Sequence, residues 1–176
     1  MDDWVKMEID VGGFNPSAFE GSVARSSRGL AFRTLAELGN TRANQKQLYR
    51  LNALCSSDIP ERGAFYGWED YLRLRIDVPS FDPRGVLLAI DGEKWVGMTA
   101  SSNHAERGFV FNEMTGVVRT HRRQGLGLAM KVLGMSFATD LDVATARTIH
   151  HPANLAMIDL NLRLGYVESS WSSTPN

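Results

Sequence analysis

The sequence predicts a single layered domain of the mixed α/β class. Three segments with strand-like patterns, at 86–90, 95–100 and 109–118, follow one another as an antiparallel meander. After the meander, the pattern alternates helix, strand, helix and strand, which is typical of a layered α/β domain. At 176 residues the chain is long enough for one domain with a substantial core.

The N-terminal half contains recognisable strand and helix patterns. Apolar and polar residues alternate over 4–10, which indicates a half-buried strand, and Gly12 ends that pattern. Pro16 favours the start of a short helix. Leucines on one side of 41–56 predict an amphipathic helix, which ends before Pro60. The predicted elements of this half are a strand at 4–10, a helix at 17–24, a strand at 30–35, and helices at 41–56 and 68–75.

The C-terminal half begins with a hairpin, because Asp91-Gly92 lies between two apolar runs. A polar connection at 101–107 follows the hairpin. Apolar residues recur at helical spacing after residue 126, and Gly165 suits the C-terminal cap of a last helix. The predicted elements of this half are strands at 86–90, 95–100 and 109–118, a helix at 126–139, a strand at 143–149, a helix at 154–164 and a strand at 166–171.

Composition and charge argue against several function classes. The formal net charge is −1 and charged residues are 22% of the chain, so neither a nucleic-acid nor a membrane partner is expected. Cys55 is the only cysteine, and we interpret it as a buried structural thiol. His150 and His151 are adjacent, but no third ligand has suitable spacing, so no metal is expected. Without a membrane span or a signal peptide, the expected location is the cytoplasm.

The segment 115–128 carries the clearest functional signal. A strand-like run passes through a basic, glycine-bearing turn into a helix, where unpaired N–H groups and the positive end of the helix dipole meet. Gly125 and Gly127 let an anion approach the backbone, and Arg122 and Arg123 add positive charge. These features predict a cradle for a pyrophosphate group. The alternative for such a glycine pair is a tight turn without a ligand.

Two other phosphate-binding motifs do not fit this segment. The P-loop requires Gly-Lys-Ser/Thr, whereas Lys131 stands four residues after Gly127 and is followed by Val132. The dinucleotide-binding fingerprint requires a third glycine at the position of Met130.

The remaining pattern, Arg122-x-x-Gly125-x-Gly127 after a pair of valines, resembles the acyl-CoA-binding motif of the GNAT N-acetyltransferase family. A second block resembles a later segment of the family, in the same order and one helix and one strand away. It consists of Arg147, Thr148, Asn154, Met157, Asn161, Gly165 and Tyr166. The resemblance is clear over residues 85–166 and is to one copy of a tandem-type member.

The resemblance implies a mixed, mostly antiparallel, twisted sheet that is splayed at an acyl-CoA site and flanked by helices. It implies an acyl-CoA-dependent N-acyltransferase that uses acetyl-CoA as cosubstrate and no metal. The acceptor would be an amine of a small molecule or a peptide, which would attack the thioester directly. The alternative is a CoA-binding module without catalysis, descended from a tandem protein.

The resemblance also assigns roles to individual residues. The backbone of Val117 and Val118 would contact the pantetheine arm. Glu113 shares a strand face with Val117 and is a candidate general base, with a structural carboxylate as the alternative. Asn154 would both cap the last helix and lie near CoA. The expected cofactor-binding residues are Val117, Val118, Arg119, Arg122, Arg123, Gln124, Gly125, Leu126, Gly127, Leu128 and Asn154.

Asn161 departs from the family pattern, in which a tyrosine often stands four residues before the glycine and protonates the leaving thiolate. Asparagine cannot act as an acid, although it can donate a hydrogen bond. Asn161 is therefore the second candidate catalytic residue, and the identity of the general acid stays open. His150 stands where relatives often have asparagine, so it would hold the last loop or reach the substrate.

The two ends of the chain are atypical for the family. Members usually have two strands after the Gly-Phe/Tyr pair, whereas ten residues follow Tyr166. The strand at 4–10 belongs to an N-terminal extension, 1–29, ahead of a core at 30–171. This strand either fills the missing position or decorates the fold, with a short strand forming within 170–173. If it fills the position, it pairs within its own chain or by exchange in a homodimer.

Overall fold

The computed structural model describes residues 4–60 and 62–171, and within them seven strands form one sheet. The strands are β1 (Val5–Asp10), β2 (Ala31–Thr34), β3 (Val86–Asp91), β4 (Lys94–His104), β5 (Phe109–Val117), β6 (Thr145–His150) and β7 (Val167–Glu168). Their order across the sheet is β2-β3-β4-β5-β6-β1-β7. All neighbouring strands are antiparallel except β5 and β6, which run parallel. The expected mixed, mostly antiparallel sheet is confirmed.

The helices of the described chain are α1 (Glu20–Ser26), α2 (Leu35–Leu38), α3 (Arg42–Ser56), α4 (Trp68–Tyr71), α5 (Leu126–Asp140) and α6 (Leu155–Leu164). The helix predicted at 17–24 begins as a 3₁₀ turn, Pro16–Phe19, and continues as α1. The helix predicted at 68–75 is α4 followed by one π-helical turn, Leu72–Ile76.

Two of the differences between predicted and observed element boundaries have a clear local cause. The strand predicted at 30–35 ends at Thr34, because Thr34 and Glu37 form a reciprocal capping box that starts α2. The polar connection predicted at 101–107 is partly strand: after a bulge at Ala100/Ser101, β4 continues to His104 and pairs with the start of β5.

Helices cover both faces of the sheet. Leu88 and Met98 pack with buried side chains of α3, whereas Ala89 and Val96 pack with Met130 of α5. In β3 the neighbours Leu88 and Ala89 point to opposite faces. In β4 an irregular pairing between Trp95 and Gly97 leaves Val96 unpaired, so Val96 and Met98 reach different faces although they are two residues apart. The long helix α5 therefore lies against the strands that lead to the basic turn.

β1 lies inside the sheet. It pairs with β6 over six positions, from Val5↔His150 to Asp10↔Thr145, and with β7 on its other side. Met7 is fully buried there. Of the two alternatives for the N-terminal strand, filling the missing sheet position is confirmed, within one chain. The final strand predicted at 166–171 is limited to Val167–Glu168, and no strand forms at 169–171; residues 172 and 173 lie outside the described residues.

Candidate functional site

The sheet opens between β5 and β6. Their parallel pairing covers only Phe109–Phe111 against Thr145–Arg147, and beyond it the two strands diverge. At the point of divergence the Thr148 hydroxyl donates to the backbone oxygen of Asn112 at 3.1 Å, which satisfies a carbonyl that has lost its strand partner. The opening leads into a cleft of about 710 Å³. The expected splay is confirmed.

Val117, the last residue of β5, directs its backbone N–H into this opening. The N–H of Val118 donates to Val96 on β4, and the carbonyl of Val118 accepts from the N–H of His121, both at 2.9 Å. Because successive peptide groups of a strand point to opposite sides, the N–H of Val117 faces away from β4. Val117 lines the cleft, whereas the backbone groups of Val118 are used within the protein. Val117 therefore offers a backbone N–H to the cleft and Val118 does not, although a contact with the pantetheine arm was expected from both.

The basic turn ends at the start of α5, which begins at Leu126. Arg123 and Gly125 adopt positive φ angles of 60° and 77°, which turn the chain into the helix. The N–H groups of residues 126–128 have no acceptor among the described residues, as is usual for a first helical turn. Leu126, Gly127 and Leu128 all line the cleft, so these donors lie at its wall.

Gly125 and Gly127 are suited to glycine for different structural reasons. An ideal Cβ at Gly125 would lie 2.5 Å from the Ser26 hydroxyl oxygen, which would have to rotate away, and the positive φ of 77° favours glycine there. At Gly127 the nearest atom would be the Leu160 Cδ1, at 3.5 Å, which is an ordinary contact. Only Gly127 has the open surroundings expected where an anion approaches the backbone.

Asp58 is held between the arginines of the turn. Its carboxylate accepts from Arg122 Nη1 at 2.6 Å and from Arg119 Nη2 at 2.5 Å. Hydrogen bonds from Arg119 and then Arg122 hold the pKa of Asp58 well below its usual range. Arg122 also donates to the Val117 carbonyl at 2.7 Å. Asp58 could not be predicted from the sequence, since it lies 64 residues before Arg122 and carries no local signal.

Most of the expected cofactor-binding residues line the cleft, and three do not. Arg122 and Arg123 line the cleft, as does Asn154 at the start of α6. Asn154 is the N-cap residue of α6, as predicted, but its side chain makes no capping bond. Its backbone carbonyl accepts from the N–H groups of Met157 and Ile158. The residues of the expected set that do not line the cleft are Val118, Arg119 and Gln124.

Glu113 lines the cleft and is held by two partners. It is the extra residue of a bulge in β5 opposite Ala100 and Ser101, so the predicted shared face with Val117 is wrong. Its Oε1 accepts from the Ser102 hydroxyl at 2.6 Å, and its Oε2 lies 3.1 Å from Arg75 Nη2. Both Glu113 and Arg75 line the cleft, and the Glu113 side chain is 28% exposed. The carboxylate can therefore receive a proton from the cleft, and Arg75, which sequence analysis did not single out, balances its charge.

Asn161 lies behind the wall of the cleft. It is fully buried and does not line the cleft, which differs from the expectation that its side chain meets the reacting groups. The reason is its position on α6, where it faces Lys131 of α5 and His150 of β6. Lys131 Nζ donates to its Oδ1 at 2.5 Å, and its Nδ2 lies 2.6 Å from His150 Nε2. His150 does line the cleft.

Burial lowers the pKa values of Lys131 and His150, the two residues that hydrogen-bond to Asn161. Lys131 is 4% exposed, and among the described residues only the neutral side chains of Asn112 and Asn161 accept its hydrogen bonds. Desolvation lowers the pKa of Lys131 to about 7. Burial first, and the charge of Lys131 second, lower the pKa of His150 to about 4.

Cys55 also lines the cleft, but burial raises its pKa to about 11, in agreement with a structural thiol.

The described part of the chain contains no helix long and apolar enough to cross a membrane. Within the same residues, no three His, Cys, Asp or Glu side chains come together as a metal site would require.

No family model matches the chain. It is 31% identical over 133 residues to a mycothiol acetyltransferase from Salinispora tropica, an alignment that covers 72% of this chain and 41% of that protein. The chain thus spans less than half the length of this curated relative.

Solved structures share the fold at low sequence identity. A GCN5-related N-acetyltransferase from Sphaerobacter thermophilus has a TM-score of 0.69 and 18% identity, covering 94% of this chain and 48% of that one. A tandem GNAT protein from the clavulanic acid biosynthesis pathway has a TM-score of 0.63 and 18% identity, covering 94% and 50%. In both cases the chain corresponds to about half of the neighbour.

Proposed function

The chain has the GNAT fold and resembles one copy of a tandem GNAT protein, and from this premise we propose that it transfers an acetyl group from acetyl-CoA to an amine. One observation carries the proposal. The unpaired N–H groups of residues 126–128 and the inward-facing N–H of Val117 line the same cleft. A thioester cosubstrate with a pyrophosphate needs both kinds of donor.

The residues present fit the pyrophosphate of coenzyme A. The N-terminus of the 15-residue helix α5 offers free N–H groups and the positive end of the helix dipole. Gly127 leaves room beside them, and Arg122 and Arg123 add positive charge at the cleft. Asn154, across the cleft on the α6 side, would contact the pantetheine arm.

The acetyl group would then lie between β5 and β6. The N–H of Val117 would donate to the thioester oxygen, which becomes more negative as the amine attacks. Glu113, four residues earlier on β5 and also lining the cleft, would take the proton of the attacking amine directly or through water. The amine and the thioester would react in a ternary complex, without a covalent enzyme intermediate.

The acceptor would be an amine of a small molecule or a peptide. It would enter from the part of the cleft lined by Tyr66, Arg75 and Glu113. A location in the cytoplasm, where acetyl-CoA is available, is part of the same proposal.

A second candidate is a CoA-binding module without catalysis. The observation that favours it is the ion pair between Glu113 and Arg75, together with the burial of Asn161, which leaves no obvious proton donor at the position of the usual tyrosine. Both candidates predict CoA binding, so turnover separates them.

The test measures coenzyme A affinity by calorimetry and acetyl-CoA turnover with a panel of amines, including aminoglycosides, amino sugars, polyamines and peptide N-termini. Binding with turnover of at least one amine supports the enzyme. Tight binding with no turnover above the acceptor-free rate supports the module, and the absence of CoA binding would contradict both.

A further inference from the structure

Three side chains at the wall of the cleft form a hydrogen-bonded row, and none of them has a role in the proposed reaction. Lys131 of α5 donates to Oδ1 of Asn161 on α6 at 2.5 Å. Nδ2 of Asn161 lies 2.6 Å from Nε2 of His150 on β6. We call these residues the Lys–Asn–His row. Of the three, His150 alone lines the cleft.

The row fixes which imidazole nitrogen carries the proton. The Lys131 amine donates to Asn112 and to Asn161, so the Asn161 atom that faces it must be the amide oxygen. The Asn161 amide nitrogen then faces His150, and an amide nitrogen only donates. Nε2 of His150 must therefore accept, and the ring proton resides on Nδ1.

A further neighbour of Nε2 does not change this assignment. The Thr148 hydroxyl lies 3.5 Å from Nε2, a longer contact than the 2.6 Å to Asn161, and its proton is donated to the Asn112 carbonyl. Nδ1 has no partner among the described residues. His150 thus presents a neutral N–H group, since its burial beside Lys131 disfavours the imidazolium.

We propose that the Nδ1–H of His150 is the hydrogen-bond donor that the cleft offers to the sulfur of the bound thioester, an assignment that rests on the proposed function. Val117 and His150 lie on opposite walls of the splay, on β5 and β6. With the thioester oxygen on the Val117 side, the sulfur faces β6. Asn161 acts through His150 and is a positioning residue.

The step balances without a protein acid. The amine nitrogen forms a bond to the carbonyl carbon, and the C–S bond breaks with its electron pair passing to sulfur. The proton of the amine passes to Glu113 or water, and the thiolate takes a proton from solvent as it leaves. His150 keeps its proton throughout, because a neutral imidazole that lost it would become an imidazolate. Its role is to stabilise the developing thiolate by a hydrogen bond.

Asn161→Asp tests the row with little change of shape. A carboxylate accepts from both neighbours, so His150 would carry its proton on Nε2 and present a bare Nδ1 to the cleft. The new charge pairs with Lys131, so the fold should be kept. We expect kcat to fall by about 10² to 10⁴ with CoA affinity within a few-fold of the parent, the range seen when a donor is lost or a histidine tautomer is inverted. A parent-like kcat in this variant would overturn the proposal.

His150 variants provide the matched comparison. His150→Phe keeps a ring but lacks the donor, and it should lose activity to a similar extent. His150→Gln can accept from Asn161 and donate into the cleft through one amide, so it should recover part of the loss. Equal activities for His150→Phe and His150→Gln would contradict a hydrogen-bonding role.

An experiment without an acceptor completes the test. Nitrogen-15 NMR of histidine-labelled parent protein should show His150 protonated at Nδ1 only, and at Nε2 only in Asn161→Asp. Coenzyme A should shift the Nδ1–H signal, whereas desulfo-CoA, which lacks the sulfur, should shift the amides of residues 126–128 but not this signal. A proton on Nε2 in the parent, or equal shifts with both ligands, would overturn the inference. No shift anywhere with either ligand would contradict the proposed function and the inference with it.

Discussion

The carboxylate of Asp58 lies 2.6 Å from Nη1 of Arg122, so a negative charge of the protein itself lies against the basic turn. Asp58 approaches from the segment after α3 and also contacts Arg119. Such exposed ion pairs add little stability, so the contact matters chiefly for charge at the cleft. Asp58 and a bound pyrophosphate would repel each other.

Asp58→Asn should therefore strengthen coenzyme A binding. Because the repulsion acts through water, we expect a modest gain of about threefold in affinity at low salt. The gain should disappear near 1 M salt, where charges are screened within about 3 Å. Asp70→Asn, which removes an exposed carboxylate paired with Arg73, is the control and should change nothing. Weaker CoA binding in Asp58→Asn would mean that Asp58 chiefly orients Arg122.

Gly127→Asp should place a negative charge at the proposed pyrophosphate site. The added Cβ has an ordinary 3.5 Å contact with Leu160, and an acidic residue suits the first turn of a helix, so the fold should persist. We expect coenzyme A affinity to fall by more than tenfold, which corresponds to about 1.4 kcal/mol. Gly127→Ala adds the Cβ without the charge and should remain within a few-fold of the parent. Identical affinities for the two variants would show that the anion binds elsewhere.

Glu113→Gln should separate binding from chemistry. Glutamine keeps an oxygen for the Ser102 hydroxyl but cannot accept the amine proton. We expect kcat to fall by about 10² to 10⁴ while CoA affinity stays nearly constant, and the loss should shrink at high pH, where more amine arrives neutral. Activity within a few-fold of the parent at neutral pH would make Glu113 a structural partner of Arg75.

Lys131 should give the protein a distinctive dependence of stability on pH. Its pKa is lowered from 10.5 to about 7 in the folded state, so between these values the unfolded chain binds a proton that the folded chain does not. The free energy of unfolding should therefore rise from pH 7 to pH 10, by up to about 1.4 kcal/mol per pH unit. In Lys131→Met this rise should be absent. Parallel denaturation curves for parent and variant across this range would show that Lys131 has an ordinary pKa.

β1 should be essential for the stability of the sheet. Deletion of residues 1–12 would expose the outer edge of β6, so we expect a lower melting temperature and aggregation. Met7→Ala tests the same burial with a point change and should cost about 2–5 kcal/mol. Leu54→Ala, at a leucine that is 58% exposed, is the control and should have little effect. A deletion variant with unchanged melting and solubility would show that β1 is an appendage.

Local patterns predicted the elements that surround the cleft. The Asp91-Gly92 turn, the strand that ends at Val117 and the helix that follows Gly125 are each determined by neighbouring residues. The position of β1 could only be offered as one of two alternatives. Its pairs with β6 join residues about 140 positions apart, and periodicity records a strand but not its neighbour.

The candidate site was predicted less completely because side-chain partners leave no local pattern. A lysine on a helix normally suggests an exposed position, yet Lys131 is buried because two asparagines from other elements accept its hydrogen bonds. For the same reason Asn161 was expected in the cleft, whereas it supports His150 from behind.

The most direct test of the account is a crystal structure with acetyl-CoA bound. We expect the pyrophosphate oxygens within about 3 Å of the N–H groups of residues 126–128, and the thioester oxygen at the same distance from the N–H of Val117. An acetyl-CoA whose pyrophosphate lies away from the start of α5, or whose thioester lies outside the β5–β6 splay, would contradict the account.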